Sequence, residues 1–447
     1  MFKIFKLALK NIFNKPLSLA LSLVLFALGS ALITALLLLN RQLEDQFTRN
    51  LADVELVIGA KGSPLQLILC NMYHIDNPTG NIALAETKPF LNPKHPLIAK
   101  AIPLSLGDNY KSYRITGTTP GFLTLYNASF EQGRVWENDY EVVIGKSVAD
   151  QTGLKLGDEF DSSHGFMQDD DLIHEQHIKF KVVGILNPAG SVIDQLILCN
   201  SKTVWLVHEH EEAEETEETQ TDSNAVHDHH HHSEEPVNPV PVQYTEKELL
   251  DLHATAVQEL ISNEEKDITS ILVQFRGRNY QTLNMQRSIN ENTNLQAATP
   301  AIEINRLFVL MGVGIEALRA LAIIIMIVSG LSIFISMLNA LKERKYELAL
   351  MRAMGASRWQ LLTLIVAEGA FIAMVGYFIG ALLGHASVAL ISGYMQDSYR
   401  YALDGWVFLP EEGILLVACI VLGKLAALLP AIQAYRTDIA NTLTQRG

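Results

Sequence analysis

LSLALSLVLFALGSALITALLLL, residues Leu17 to Leu39, is a 23-residue run without a charge. As an α-helix it rises about 35 Å, more than the ~30 Å hydrocarbon core of a bilayer. It is too long for a signal-peptide core and no small-residue cleavage site follows it, so it reads as an uncleaved anchor. Three further runs have the same character: Leu318–Leu341, Leu361–Ile391 and Gly413–Ala434. The fold class that follows is an α-helical membrane domain of four transmembrane helices plus an α+β external domain inserted between helices 1 and 2.

The bias of Lys and Arg orients the spans. Residues 1–16 carry Lys3, Lys6, Lys10 and Lys15 and no acid. The loop 342–360 carries Lys342, Arg344, Lys345, Arg352 and Arg358 against Glu343 and Glu347. The loop 392–412 has Arg400 against Asp397, Asp404, Glu411 and Glu412. Both termini (1–16 and 435–447) and the 342–360 loop are therefore expected in the cytoplasm, with 40–317 and 392–412 outside. The bulk numbers agree, since 49% of the 447 residues are hydrophobic while the net charge is −15. Eleven acids between His208 and Glu235, a stretch without Lys or Arg, supply most of that charge. The rest is near neutral and offers no nucleic-acid-binding face.

Within the external region, short β-rich segments such as EVVIG (Glu141–Gly145) and IKFKVVGIL (Ile178–Leu186) alternate with turn signals such as Thr119-Pro120-Gly121 and Leu156-Gly157-Asp158. Helical stretches are predicted near Arg41–Asn50 and Tyr280–Asn292, with an amphipathic helix at Glu246–Asn263 before the strand Ile268–Phe275. Residues 208–243, acids and histidines followed by Pro236, Pro239 and Pro241, interrupt the pattern and cannot bury apolar surface.

The cytoplasmic loop, LNALKERKYELALMRAMGASRWQLL (Leu338–Leu362), resembles the signature of the MacB/FtsX-like ABC transporter permeases, the type VII or mechanotransmission family. There a Glu/Arg cluster precedes an apolar helix and a further basic residue. LALKNIFNKPLSLALSLVLFALG (Leu7–Gly29) resembles that family's entry into its first span. GRVWENDYEVVIGKSVADQTGLKLGDEF (Gly133–Phe160), with FKVVGIL (Phe180–Leu186), resembles its periplasmic core domain, and PAIQAYRTDIANTL (Pro430–Leu443) its closing motif. The resemblance implies a bacterial inner-membrane permease subunit, not itself an enzyme, acting as a homodimer. A separate cytoplasmic ABC ATPase, carrying the ATP, would dock on its loop. A periplasmic adaptor or metal-binding protein is a further partner to consider. The work implied is export or envelope-substrate handling; the alternatives are a relay to a periplasmic hydrolase or sensor, and lipoprotein extraction.

The residues of the loop can be read beside that resemblance. Leu348, Leu350, Met351 and Met354 are expected to form one apolar stripe, Arg352 and Arg358 to add charge beside it, and Gly355 to end or bend the helix. With Glu343, Arg344 and Glu347 they make up the expected coupling set. An apolar stripe in cytosol calls for a partner groove, or for a lipid surface on which the helix lies. VVIGKS (Val142–Ser147) superficially resembles a phosphate-binding loop, but Tyr140 stands where its first glycine belongs, so it reads as strand and turn.

Inside the spans, Glu368 and Lys424 fall at similar depth and are expected to pair, either coupling the spans or holding them structurally. Gly376, Gly380 and Gly384 recur on one face, allowing close packing within the bundle or at a dimer seam. His385 beside them reads as packed or interfacial. His208, His210, His227, His229, His230, His231 and His232 lie among acids, and His164, His174 and His177 form a sparser group. Loose histidines of this kind suit exchangeable Zn²⁺ binding rather than a rigid tetrahedral site; the alternative is a solvated, pH-responsive linker. Cys70 and Cys199 are expected to pair only if both face an oxidising compartment.

Overall fold

The computed structural model describes residues 16–161, 179–207, 239–399 and 403–436. They form two compact units, one of residues 46–308 and one of the chain on either side. After α1 (Pro16–Arg49) come β1 (Leu56–Ala60), α2 (Pro64–Met72), β2 (Ile82–Ala83), α3 (Leu84–Leu91), β3 (Ile98–Tyr110), β4 (Tyr113–Thr118) and α4 (Gly121–Leu125). Then follow β5 (Phe130–Gly133), β6 (Glu141–Ile144), α5 (Lys146–Thr152), β7 (Glu159–Asp161), β8 (Lys179–Leu186), a 3₁₀ turn (Val192–Gln195) and β9 (Ile197–Asn200). The chain continues with α6 (Glu246–Ser262), β10 (Asp267–Ile268), β11 (Ser270–Phe275), α7 (Tyr280–Asn292) and β12 (Leu295–Ala298). Last come α8 (Pro300–Glu343), α9 (Lys345–Ala353), α10 (Arg358–Tyr399) and α11 (Pro410–Tyr435).

The unit of residues 46–308 is α+β. Its sheet runs β12-β1-β11-β3-β4-β9-β6-β8-β5, with β7 added beside β8 and with β2 and β10 paired separately. It is mixed: β4–β9 and β6–β8 are parallel, the other pairs antiparallel. Both faces are covered. Val57, Ile102, Leu104, Val143, Val183, Leu198 and Leu272 join one cluster with Leu67, Ile68 and Met72 of α2 and Phe122 and Leu123 of α4. Their strand neighbours point the other way, into two clusters: Leu56, Ile58, Ile271 and Val273 pack with α6 and α7, and Val142, Ile144, Val182 and Cys199 with Val148 of α5. Burial on both faces explains why SILVQF and KVVGIL read as unbroken apolar runs rather than alternating ones.

Local chemistry sets the element ends. Thr245 caps α6: its hydroxyl accepts from Glu248 N–H (3.3 Å), and the Glu248 carboxylate accepts from Thr245 N–H (2.7 Å). The expected strand from Ile268 is cut at Thr269. Its hydroxyl accepts from Leu106 N–H at 3.0 Å, so β10 pairs with β2 and only Ser270 onward enters the main sheet. Gly145 caps α5 directly after β6, and a Cβ there would strike the backbone of Ile193 and Asp194. Its glycine is thus required by chain packing, and VVIGKS is a strand leading into a short helix. Cys70, Cys199 and Cys419 are all free and buried, so Cys70 and Cys199 do not pair. The Cys70 thiol accepts from Arg114 at 3.5 Å, and burial pushes it up to about 11.

The other unit contains α8 from Val309 onward, α9, α10, α11 and α1 up to Asp45. Among the described residues, four helices are long and apolar enough to cross a membrane. α10 stands at the centre of this packing. Cβ atoms at Gly376, Gly380 and Gly384 would meet Phe26, Ser30 and Thr34 of α1, and Ser30 Oγ reaches Gly376 O at 3.4 Å. On the α11 side, Gly369 faces Gly423 and Ala427. The glycine stripe therefore packs within the bundle, against α1.

Two expectations follow. Gly380→Val, which places branched methyls against Ser30 and the Ala27 carbonyl, should cost about 1–3 kcal/mol, read as a lowered unfolding temperature of the full chain in detergent. His253, at 2.8 Å from Thr119 Oγ1, is held at about 4, first by burial and then by Lys100. The unfolded chain takes up the proton first, near pH 6.5. Stability should therefore be full well above pH 6.5 and fall by on the order of 3 kcal/mol as pH drops toward 4, and His253→Gln should flatten that part of the pH profile of thermal unfolding.

Candidate functional site

The candidate site is the hairpin between α8 and α10. α8 ends at Glu343, and Arg344, at φ −95° and ψ 7°, turns the chain into α9. α9 ends in a Schellman motif: Gly355 N–H donates to Arg352 O and Ala356 N–H to Met351 O, both at 3.0 Å, with Gly355 at φ +102°. Ser357 then caps α10. Its hydroxyl accepts from Gln360 N–H (3.2 Å) while the Gln360 side chain accepts from Ser357 N–H (2.8 Å). Within GASRWQ, the chain stops one helix and starts the next.

This geometry divides the single apolar stripe expected from the sequence into two faces. Leu348 and Ala349 are buried, and Leu348 with half-buried Met351 joins the cluster of Leu341, Leu361 and Ile365. Leu350 and Met354 face out, 44% and 72% exposed. Residues 348 and 350 are 200° apart on a helix wheel, so they cannot share a face. The outward row is Tyr346, Leu350 and Met354 at i, i+4 and i+8, with Trp359 exposed just beyond the turn. Tyr346, outside the expected coupling set, stands four residues before Leu350, the spacing of one helix face, whereas Trp359, five residues past Met354 and in the next helix, carries no such signal. Trp359 stacks edge-on against Tyr435 at 5.6 Å, and Arg358 lies 5.9 Å from the same ring. Lys342, Glu343, Lys345 and Glu347 ring the row as exposed charges.

The expected pair of Glu368 and Lys424 does not form. Lys424 points out of the bundle, while Glu368, 11% exposed, lies 3.6 Å from Arg344 Nη1. Depth along the membrane matched, but the azimuth did not. Lys424 follows Gly423, which faces α10, and so turns about 100° away. Arg344 also reaches Glu347 at 3.8 Å. This places the start of α9 under electrostatic restraint from α10. His208, His210, His227, His229, His230, His231 and His232, and the sparser group His164, His174 and His177, lie outside the described residues. Among the described residues no group of three or more His, Cys, Asp or Glu is placed to hold a metal.

The MacB-like periplasmic core domain family matches residues 19–224, and the FtsX-like permease C-terminal family matches residues 319–439. The chain belongs to the MacB/FtsX-like ABC transporter permeases, multi-pass proteins of the inner membrane. The macrolide export ATP-binding/permease protein MacB of Shewanella oneidensis is 20% identical over 80% of this chain and 47% of its own length. The ABC transporter permease YtrF of Bacillus subtilis is 24% identical over 41% of this chain and 47% of its own. The chain thus spans about half the length of these curated relatives. A solved periplasmic region of MacB from Actinobacillus actinomycetemcomitans covers 58% of this chain and 97% of its own, at 10% identity and a TM-score of 0.30.

The two faces of α9 are separable by mutation. Leu348→Glu should destabilise the full chain by about 2–4 kcal/mol, because it buries an unpaired charge, whereas Leu350→Glu and Met354→Glu should change stability by less than about 0.5 kcal/mol. Thermal unfolding in detergent measures both.

Proposed function

We propose that this chain is the permease part of an ABC system, coupling ATP hydrolysis by an ATPase on another polypeptide to conformational work on the outer side of the membrane. The observation that carries this reading is the exposed row Tyr346, Leu350 and Met354 along a helix fixed at both ends, with Trp359 exposed at the start of the next. An apolar row ringed by charges suits insertion into a groove of a folded partner, and aromatic residues within it supply the usual anchors. Arg344 and Glu368 would pass movement of α9 into α10. Export is favoured as the task because the MacB relative carries it in its name. We take the working permease to be a homodimer with both termini in the cytoplasm, and the 208–235 segment to gather Zn²⁺ or a similar cation for that task.

Two measurements test the reading. The tagged full chain, purified from its host in nanodiscs, should bring down an ABC ATPase. Leu350→Glu with Met354→Glu should reduce its recovery at least about tenfold while the fold survives; undiminished recovery rejects the docking surface. Titration of Zn²⁺ into the full chain should release heat that vanishes on deletion of residues 208–235, and equal heats from both proteins reject the metal role.

A further inference from the structure

A buried polar pair at the far end of α10 from the hairpin has no part in the coupling surface. His385 and Glu412 have side chains only 2% and 7% exposed, with Nε2 and Oε2 3.1 Å apart. The other ring nitrogen, Nδ1, lies 2.8 Å from the backbone oxygen of Gly405. A carbonyl oxygen can only accept, so Nδ1 carries a hydrogen. A neutral imidazole with hydrogen on Nδ1 presents a lone pair at Nε2, and a carboxylate presents another. Two acceptors cannot face each other at hydrogen-bond distance out of water, so one further proton lies between them.

The surroundings say where that proton resides. Glu412 lies in the first turn of α11, where the helix dipole favours an anion, and its Oε1 accepts from Leu409 N–H at 3.0 Å. The imidazole lies parallel to Trp406, with centroids 6.2 Å apart, and 4.7 Å from the Phe408 ring. Aromatic faces of this kind favour a cation. We propose that His385 and Glu412 form a one-proton binding site, an imidazolium–carboxylate clasp. While loaded, it holds the connection of residues 403–409 onto α10.

Besides the clasp, the connection is held by Ser392 of α10, whose hydroxyl accepts from Leu403 N–H at 2.7 Å, and by Gln42 of α1. The Gln42 side chain donates to Asp404 O (2.7 Å) and accepts from Asp404 N–H (2.8 Å). The other titratable groups on the elements packed here are few among the described residues. Tyr377 of α10 donates its hydroxyl to Glu412 O at 2.9 Å, and Cys419 of α11 is a buried thiol. Asp404 accepts from Trp406 N–H, Glu411 is exposed, and on α1 Arg41 pairs with Asp45 beside Glu44. The polar partners of the imidazole are Gly405 and Glu412. Loss of the proton to water leaves a neutral imidazole against a carboxylate, and the Gly405–Leu409 part of the connection loosens while Leu403 and Asp404 stay on Ser392 and Gln42.

The test uses the full chain in nanodiscs, titrated across about pH 5 to 9 to bracket the range in which imidazole changes charge. The readout is Trp406 emission, obtained by subtracting the signal of Trp406→Phe, with a thermal melt at each pH to confirm folding. The wild type should show one proton-linked rise in emission, as the quenching imidazolium is lost. Glu412→Gln keeps an acceptor for Leu409 N–H and supplies an amide donor to the neutral imidazole, so its emission should not change with pH. A flat wild-type profile, or the same transition in Glu412→Gln, overturns the proposal. Should Glu412→Gln fail to fold, His385→Gln is read under the same criterion.

Discussion

Within hydrocarbon there is no water to drive helices together, and apolar side chains gain nothing by leaving lipid for protein. Packing therefore depends on how closely backbones approach, and α10 shows the consequence. Gly376, Gly380 and Gly384 bring it against α1, while Gly369, on another side, meets Gly423 of α11. Larger residues at these places would separate the helices and cost the dispersion contacts that hold the bundle. The positions of Arg344 at one end of α10 and of Glu412 at the other follow from that close packing, because both reach groups carried on α10.

The hairpin converts this packing into a surface. Gly355 ends α9 and Ser357 starts α10 within two residues, so the phase between the helices is fixed by capping hydrogen bonds, backbone–backbone at Gly355 and side chain–backbone at Ser357 and Gln360. Once the phase is fixed, Leu348 has to enter the core and Leu350 has to leave it. The Arg344–Glu368 pair ties the other end of α9 to α10. A helix held at both ends keeps its exposed row in place before a partner arrives, which lowers the ordering cost of docking.

The external domain illustrates how far local pattern carries. EVVIG and IKFKVVGIL are readable as strands because a sheet covered on both faces selects β-branched residues at consecutive positions. The cut at Thr269 was not readable, since it depends on a hydroxyl meeting Leu106 N–H from a strand far away in sequence. Gly145 was recognisable as a turn glycine, but the approach of Ile193 and Asp194 that demands it was not. In the candidate site, composition and resemblance located the loop. They merged its two faces because a run of apolar residues over a short helix does not state which side is solvated.

The sequence by itself determined four spans, an inserted α+β domain and a charged, apolar-striped loop, because length, charge and hydrophobic period are properties of contiguous residues. It also supplied the caps, since Gly355 and Ser357–Gln360 act within one turn. Only the tertiary structure decided the partners. Glu368 meets Arg344 rather than Lys424, the glycine stripe meets α1, and His385 meets Glu412 and Gly405. Each of these depends on the rotation of one helix about its axis relative to another. That angle is set by close packing summed over whole helices, and no local stretch of sequence encodes it.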